Sequence, residues 1–355
     1  MNAILKFLDE NRQRLDLERI GVRGELSFVM VTPRFRASSH VVFIILVEGR
    51  SEPVLVVKVP RILGGNSSVE REVHNLRLAQ MVRPTGFDSI PFVVAFEESQ
   101  GHALLVETAL DGSPMDTTSI RGDFVGCCNS VTNWLVELHR CRLPNSPLDS
   151  NWFDRLVEEP LRRLESVFGS HSEEKLLFSQ TRSLASSLAM EKVPLVFEHG
   201  DLSHPNVLLL RRGGIGVLDW ELAEPQGLPG VDLFFFLAYA AFCRHEAQKT
   251  GIHVPAFRDA FFGRSAWGIQ HVLKYADQVG LAMRFLAPLF VLCWARYLSG
   301  LVLRITDGGG TAKRIGPETA AWLRTNRYYA LWKYALENCS ELDWSHSYQM
   351  QRRST

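Results

Sequence analysis

The stretch from Phe197 to Glu221, FEHGDLSHPNVLLLRRGGIGVLDWE, carries three oxygen-bearing side chains that could share one site. Val207 to Leu210 is a short apolar run, Arg211-Arg212-Gly213-Gly214 reads as a turn, and Ile215 to Leu218 is a second apolar run. That pattern predicts a β-hairpin. Asn206 stands just before the first strand and Asp219 just after the second. The open ends of an antiparallel pair lie about 5 Å apart across the ladder, so the two side chains can meet although far apart in sequence. An amide oxygen and a carboxylate at one point suit Mg²⁺, which takes hard oxygen ligands and keeps water or phosphate in its other positions. Asp201, on the loop entering the hairpin, is placed to orient an attacking hydroxyl or to accept its proton.

The elements that must position these residues fall into two textures. Residues 1–20 read as an amphipathic helix, with Ile4, Leu5, Phe7, Leu8, Leu15 and Leu17 apolar. Glu25 to Val31, Val41 to Val47 and Val54 to Val59 are β-branched and aromatic runs between turn residues, and read as successive antiparallel strands. Ser67 to Met81 is a helix that Ser67 or Ser68 can cap. Pro91 to Phe96 and His102 to Thr108 are two more strands. From Asp123 helical spacing dominates, first up to His139 and then over 151–168, 173–190, 231–249, 256–279, 284–304 and 316–338. The expected organisation is a sheet-plus-helix lobe over 1–109 and a mostly helical lobe over 110–355.

An Asp-x4-Asn pair alone arises by composition about once in a chain of this size. The longer string is far more specific. His199-Gly200-Asp201, then Pro205-Asn206, then an apolar hairpin ending in Leu218-Asp219-Trp220-Glu221, resembles the aminoglycoside phosphotransferase and choline kinase superfamily. The resemblance implies an α+β, two-lobed, protein-kinase-like fold with a small antiparallel-sheet N-lobe and a larger helical C-lobe. It implies ATP or GTP as co-substrate, Mg²⁺, Asp201 as the catalytic residue, and Asn206 and Asp219 as metal ligands.

The resemblance extends to further positions. Lys58 is the one lysine in the apolar run Val54 to Pro60 and is the candidate for the α- and β-phosphates; by itself it also reads as an exposed strand residue. Glu72 is its favoured helix partner, since Leu76 and Gln80 follow at helical spacing, with Glu70 as runner-up. The run from Leu104 to Gly112 resembles an inter-lobe hinge offering backbone groups at Glu107 to Ala109 to an adenine edge. Gly230-Val231-Asp232-Leu233 resembles a segment whose Asp braces the catalytic loop. One departure stands out: Thr32 to His40 contains no glycine, where protein kinases use glycines to approach the phosphates. Ser38 and Ser39 are the candidate β-phosphate donors there.

Other classes are disfavoured. Lys plus Arg equals Asp plus Glu at 39 each, which argues against a broad basic nucleic-acid surface. The six cysteines contain no C-x-x-C pair and read as reduced thiols, Cys127, Cys128 and His271 form no zinc set, and no signal peptide is expected, so the setting is cytoplasmic. Phe285 to Leu303 is long and apolar, but Pro288 and Arg296 interrupt it; a buried helix pair is preferred to a membrane span. His199 reads as packed within its loop rather than as a base, Phe234-Phe235-Phe236 and Trp134 as core, and Glu221, Glu224 and Glu246 as acidic groups that could face a cationic acceptor. The resulting expectation is an Mg²⁺-dependent phosphotransferase acting on a hydroxyl of a small molecule: a sugar, amino alcohol, aminoglycoside-like compound or glycan precursor. The alternative is a nucleotide-binding pseudokinase or scaffold.

Overall fold

The computed structural model describes residues 3–32, 40–61, 65–82, 88–99, 101–141, 149–169, 171–263, 266–307, 316–342 and 344. Ser38, Ser39 and the Gly308-Gly309-Gly310 turn lie outside them. The chain clusters into two compact units: Met1–Pro114 with Asn206–Ala223, and Met115–Pro205 with Glu224–Thr355.

In the first unit α1 (Ala3–Glu10) precedes β1 (Leu26–Val31), β2 (His40–Val47), β3 (Leu55–Pro60), α2 (Ser67–Val82), β4 (Val93–Ser99) and β5 (His102–Thr108). The strands form one antiparallel sheet in the order β1-β2-β3-β5-β4. Its apolar face gathers Ile45, Leu55, Val57 and Val106 with Leu8, Leu17 and Val22 from the leading segment. The predicted helix over 1–20 is therefore only half helix. Asp16 takes φ +50°, and the chain turns so that Leu17 and Val22 are fully buried with the sheet residues. Core burial overrides helical spacing there. α2 packs against β3, β4 and β5.

The predicted hairpin is present: β8 (Val207–Leu210) pairs antiparallel with β9 (Ile215–Val217). A short strand with no sequence signal, β6 (Gly112–Pro114), pairs with β8. Gly112 is required, since a Cβ there would lie 2.6 Å from the Leu209 carbonyl oxygen.

The second unit holds α3 (Thr117–Gly122), α4 (Phe124–Arg140), α5 (Glu159–Phe168) after a π turn at Asp154–Glu158, α6 (Ser172–Ala189), β7 (Val196–Glu198) and β10 (Glu224–Gly227). After them come α7 (Val231–Arg244), α8 (Ala247–Thr250), α9 (His253–Phe261), α10 (Gly268–Val279), α11 (Leu286–Asp307), α12 (Pro317–Arg324) and α13 (Arg327–Glu337). Three helices predicted as continuous are broken. Glu246 at φ +51° separates α7 from α8, Gly263 at φ +84° falls between α9 and α10, and the Asn326 side chain caps Tyr328 N–H to restart the chain as α13.

Met283–Ile305 is the one stretch, among the described residues, long and apolar enough to cross a bilayer, and 72% of its most apolar window is buried inside the protein. Its helix, α11, packs against α5, α6, α7 and α13. Phe290 and Trp294 close around Phe257 at ring-centroid distances of 5.4 and 5.0 Å. Its apolarity serves a core.

Candidate active site

In the first unit β3 carries Lys58 opposite Val42 on one side and Leu105 on the other. The ammonium is buried with two buried carboxylates: it ion-pairs with Glu72 of α2 and lies 3.3 Å from Glu107 Oε1 of β5. Glu72, not the exposed Glu70, meets the lysine. Burial alone would lower the lysine, but Glu107, Glu72 and Asp219 together hold it well above its ordinary value.

The sequence leads one to expect Glu107 to offer its backbone to a nucleotide base. It lies inside β5, within the predicted strand and opposite Val56 and Val93, and its side chain turns to Lys58. Thr108 N–H donates to Phe92 O at 2.9 Å and Ala109 N–H to Val54 O at 3.1 Å. Those two donors are thus taken by the chain segments that lead into β4 and β3, Phe92 and Val54.

The Glu107 carboxyl is pushed up to about 7, by burial first and then by Glu72 and Asp219, against the pull of Lys58. A carboxyl that binds its proton more tightly folded than unfolded makes stability fall as pH rises between the two values. The penalty is absent below the ordinary glutamate pKa of ~4.5 and complete above about 7. Glu107→Gln should remove up to roughly 3 kcal/mol of that loss. Melting curves at pH 5 and pH 7.5 should then differ less for the variant than for the wild type; parallel shifts of both proteins would refute this.

α2 also fixes the end of the hairpin. Trp220 N–H donates to Glu72 Oε1 at 3.2 Å, and one turn on Asn75 Nδ2 donates to Trp220 O and Ala223 O at 2.9 and 3.0 Å. Leu218 N–H donates to Asn206 O at 2.9 Å, so the backbone of Asn206 closes against the strand that leads into Asp219. Held on both sides, Asp219 takes φ +67°, a left-handed conformation uncommon for a non-glycine. Such strain persists only where surroundings over-determine it, and it clusters at ligand sites.

Asp219 Oδ1, Glu72 Oε2 and Glu107 Oε2 are buried without a hydrogen-bond partner among the described residues. Ligand-capable atoms of His40, Glu72 and Asp219 lie within 4.8 Å of one another. Burial and the Lys58 charge lower the His40 imidazole, so at neutral pH it offers a lone pair rather than a charge. An unsatisfied Asp219 oxygen beside the Glu72 carboxylate and the His40 imidazole is a donor set that can hold a divalent cation. His40 closes the glycine-free loop, and nothing in its sequence surroundings marks it as a site residue.

The second unit carries the loop with Asp201. Asp232, near the start of α7, accepts the N–H groups of His199 and Gly200 at 2.6 and 2.9 Å, fixing the turn in which Gly200 takes φ +81°. His199 is fully buried and accepts Asp201 N–H on Nδ1 at 3.3 Å, so it braces the loop. Beneath lies Glu198, whose two carboxylate oxygens each accept from Arg296 Nη1 at 2.9 Å while Oε2 takes Leu228 N–H at 2.9 Å. Burial, then Glu198, pushes Asp232 up to about 8, although the two loop N–H groups and Arg296 pull the other way. His139 Nδ1 and Tyr275 OH share a 2.6 Å bond, and Tyr275 OH accepts Gly230 N–H at 3.1 Å, which fixes the approach to α7.

α11 contributes a second arginine. Arg304 Nη2 lies 3.6 Å from Asp201 Oδ2. Neither Arg304 nor Arg296 is legible as a site residue from sequence; the only signal is a charge inside an otherwise apolar helix. Of the three acidic candidates for a cationic acceptor, Glu224 pairs with Arg155 and Glu246 with Arg121 and Lys249, while Glu221 lies 4.0 Å from the His40 imidazole.

Known proteins share this arrangement of elements. The profile of the Phosphotransferase enzyme family matches residues 34–268. No curated protein sequence matches. Among solved structures, choline kinase LicA from Streptococcus pneumoniae superposes with a TM-score of 0.54 at 14% identity, covering 96% of this chain and 99% of that one. A thermostable mutant of aminoglycoside phosphotransferase APH(4)-Ia, in ternary complex with AMP-PNP and hygromycin B, gives 0.54 at 12% identity, covering 91% and 98%. A putative fructosamine-3-kinase from Haemophilus somnus 129PT gives 0.51 at 15%, covering 92% and 95%. At these identities the likeness shows the kinase-like α+β fold.

Proposed function

The chain belongs to the phosphotransferase enzyme family, and from that premise we propose that it moves the γ-phosphoryl group of ATP or GTP onto a hydroxyl of a small molecule. The observation that carries the reading is the buried Lys58, held between Glu72 and Glu107, with the unsatisfied Asp219 Oδ1 in the same unit. A buried ammonium with more carboxylate than it can neutralise, beside an orphaned oxygen, is a site short of a cation. Asn206 and Asp219 would hold Mg²⁺, which when bound would offset the charge of the phosphate oxygens.

Lys58 would bind the α- and β-phosphates, with Glu72 and Glu107 fixing its direction. Ser38 and Ser39 remain candidates for the β-phosphate. The base is assigned to the chain around Glu107 and Ala109, through groups other than the Thr108 and Ala109 N–H donors. Asp201 would orient the acceptor hydroxyl and take its proton as the acceptor oxygen bonds to Pγ. The bond from Pγ to the β–γ bridging oxygen breaks, and the nucleoside diphosphate leaves with the electron pair. The transition state is loose, so alignment and charge carry most of the rate.

Asp219→Ala should weaken Mg-nucleotide binding at least tenfold by calorimetry, with the metal-free nucleotide affected less. Unchanged affinity would remove Asp219 as a ligand. Nucleotide turnover with Mg²⁺ across a panel of hydroxyl compounds tests the reaction itself; no acceptor-dependent turnover would overturn it.

A further inference from the structure

The second unit surrounds Asp201 with arginines and aromatic rings. Arg304, on the last turns of α11, pairs with Asp201 while one-third exposed. His204, three residues beyond Asp201, has its ring 5.9 Å from that of Tyr239. Tyr239 OH and Tyr328 OH share a 2.7 Å bond, and Arg327 Nη2 donates to both phenol oxygens. The Arg327 guanidinium lies over both rings, at 5.0 and 5.1 Å from their centroids. Burial raises the Tyr239 phenol most, and the charges of Arg327 and Asp201 act on it in opposite senses, so both lie in its neighbourhood.

Two features of this cluster ask for a negative charge. Arg327 is half-buried, and no described carboxylate pairs with it. Ring faces and phenols hold a guanidinium in place but do not neutralise it, and a partly desolvated cation without a counter-ion is costly. His204 is nine-tenths buried, and its Nδ1 has no hydrogen-bond partner among the described residues. In the Nδ1–H tautomer it can donate to an anion. Besides Asp201, the carboxylate that acts on this cluster is Asp116, which is exposed and engaged as the N-cap of α3, accepting Ser119 N–H at 2.8 Å and Ser119 Oγ–H at 2.9 Å.

We propose that the hydroxyl acceptor is itself an anion, a molecule bearing a carboxylate or a phosphate group that Arg327, Arg304 and His204 recognise. The inference rests on the kinase reading of Asp201. It also gives Arg304 a second role: when the acceptor's anionic group takes the guanidinium, Asp201 is released from its ion pair to receive the hydroxyl. A cationic acceptor would do neither.

The test uses the full chain and matched hydroxyl compounds: a hydroxy acid, a sugar phosphate, a neutral sugar, an amino alcohol and an aminoglycoside. With Mg-ATP, kcat/KM for an anionic member should exceed that of the neutral and cationic members at least tenfold. Arg327→Gln should raise KM for it by roughly ten- to hundredfold, the worth of a lost charge-assisted hydrogen bond. Arg327→Lys should restore part of the preference, which separates lost charge from lost packing. Calorimetry of the hydroxy acid and the sugar phosphate without nucleotide should show binding that Arg327→Gln weakens, and which of the two binds identifies the anion. Turnover of the amino alcohol or aminoglycoside at equal or higher efficiency would overturn the anionic acceptor and leave the kinase standing. Binding of the acids through Arg327 with no phosphoryl transfer to any compound would do the reverse.

Discussion

Replacing Asp201 with alanine is expected to lower kcat for phosphoryl transfer by roughly 10²–10⁴-fold, the usual worth of a positioned general base. The loop that carries it is fixed from below, by Asp232 on the His199 and Gly200 N–H groups and by His199 Nδ1 on the Asp201 N–H. The alanine side chain therefore deletes the carboxylate while the turn remains. Nucleotide affinity, measured by calorimetry, should change far less than kcat, since Lys58 and Asp219 belong to a different set of contacts. A variant that turns over its acceptor at the wild-type rate would remove Asp201 from the reaction. A variant that loses nucleotide binding and rate together would make Asp201 part of the binding site instead.

Arg296→Met should destabilise the second unit severely. Glu198 and Asp232 are both buried, and Arg296 is the arginine whose charge offsets them. Removing one partner of a buried pair typically costs roughly 3–5 kcal/mol, because the remaining charge keeps its desolvation penalty. Denaturant unfolding should show the loss. Arg296→Met combined with Glu198→Met should recover most of it, as apolar replacements of a complete buried pair are often close to neutral. Equal stability of the single variant and the wild type would mean that solvent or a proton already neutralises the pair. Because Glu198 leads directly into His199, the single variant should also disturb the Asp201 turn and lower kcat.

Local chemistry makes much of this protein legible from its residues. The hairpin is readable because two apolar runs flank a Gly-Gly turn, and its open end necessarily brings Asn206 towards the Asp219 segment. Lys58 stands out as one charge in an apolar strand, and Glu72 follows from helical spacing with Leu76. The strands of the first sheet and the long helices of the second unit are readable for the same reason: each has a face that must be buried.

The features that stay hidden depend on partners distant along the chain. Glu107 reads as a hinge residue until β4 and β5 are seen to pair past it, which turns its side chain onto Lys58. Arg296 and Arg304 read as interruptions of an apolar helix; only the packing of α11 in the second unit carries one to Glu198 and the other to Asp201. Arg327 and Tyr239 lie 88 residues apart, and no periodicity connects them. Residue order thus suffices to name the groups able to do chemistry, because backbone geometry sets the spacing within a hairpin or a helix. Which charges are neutralised and which are left over is a property of the folded chain, because burial and long-range neighbours set that balance.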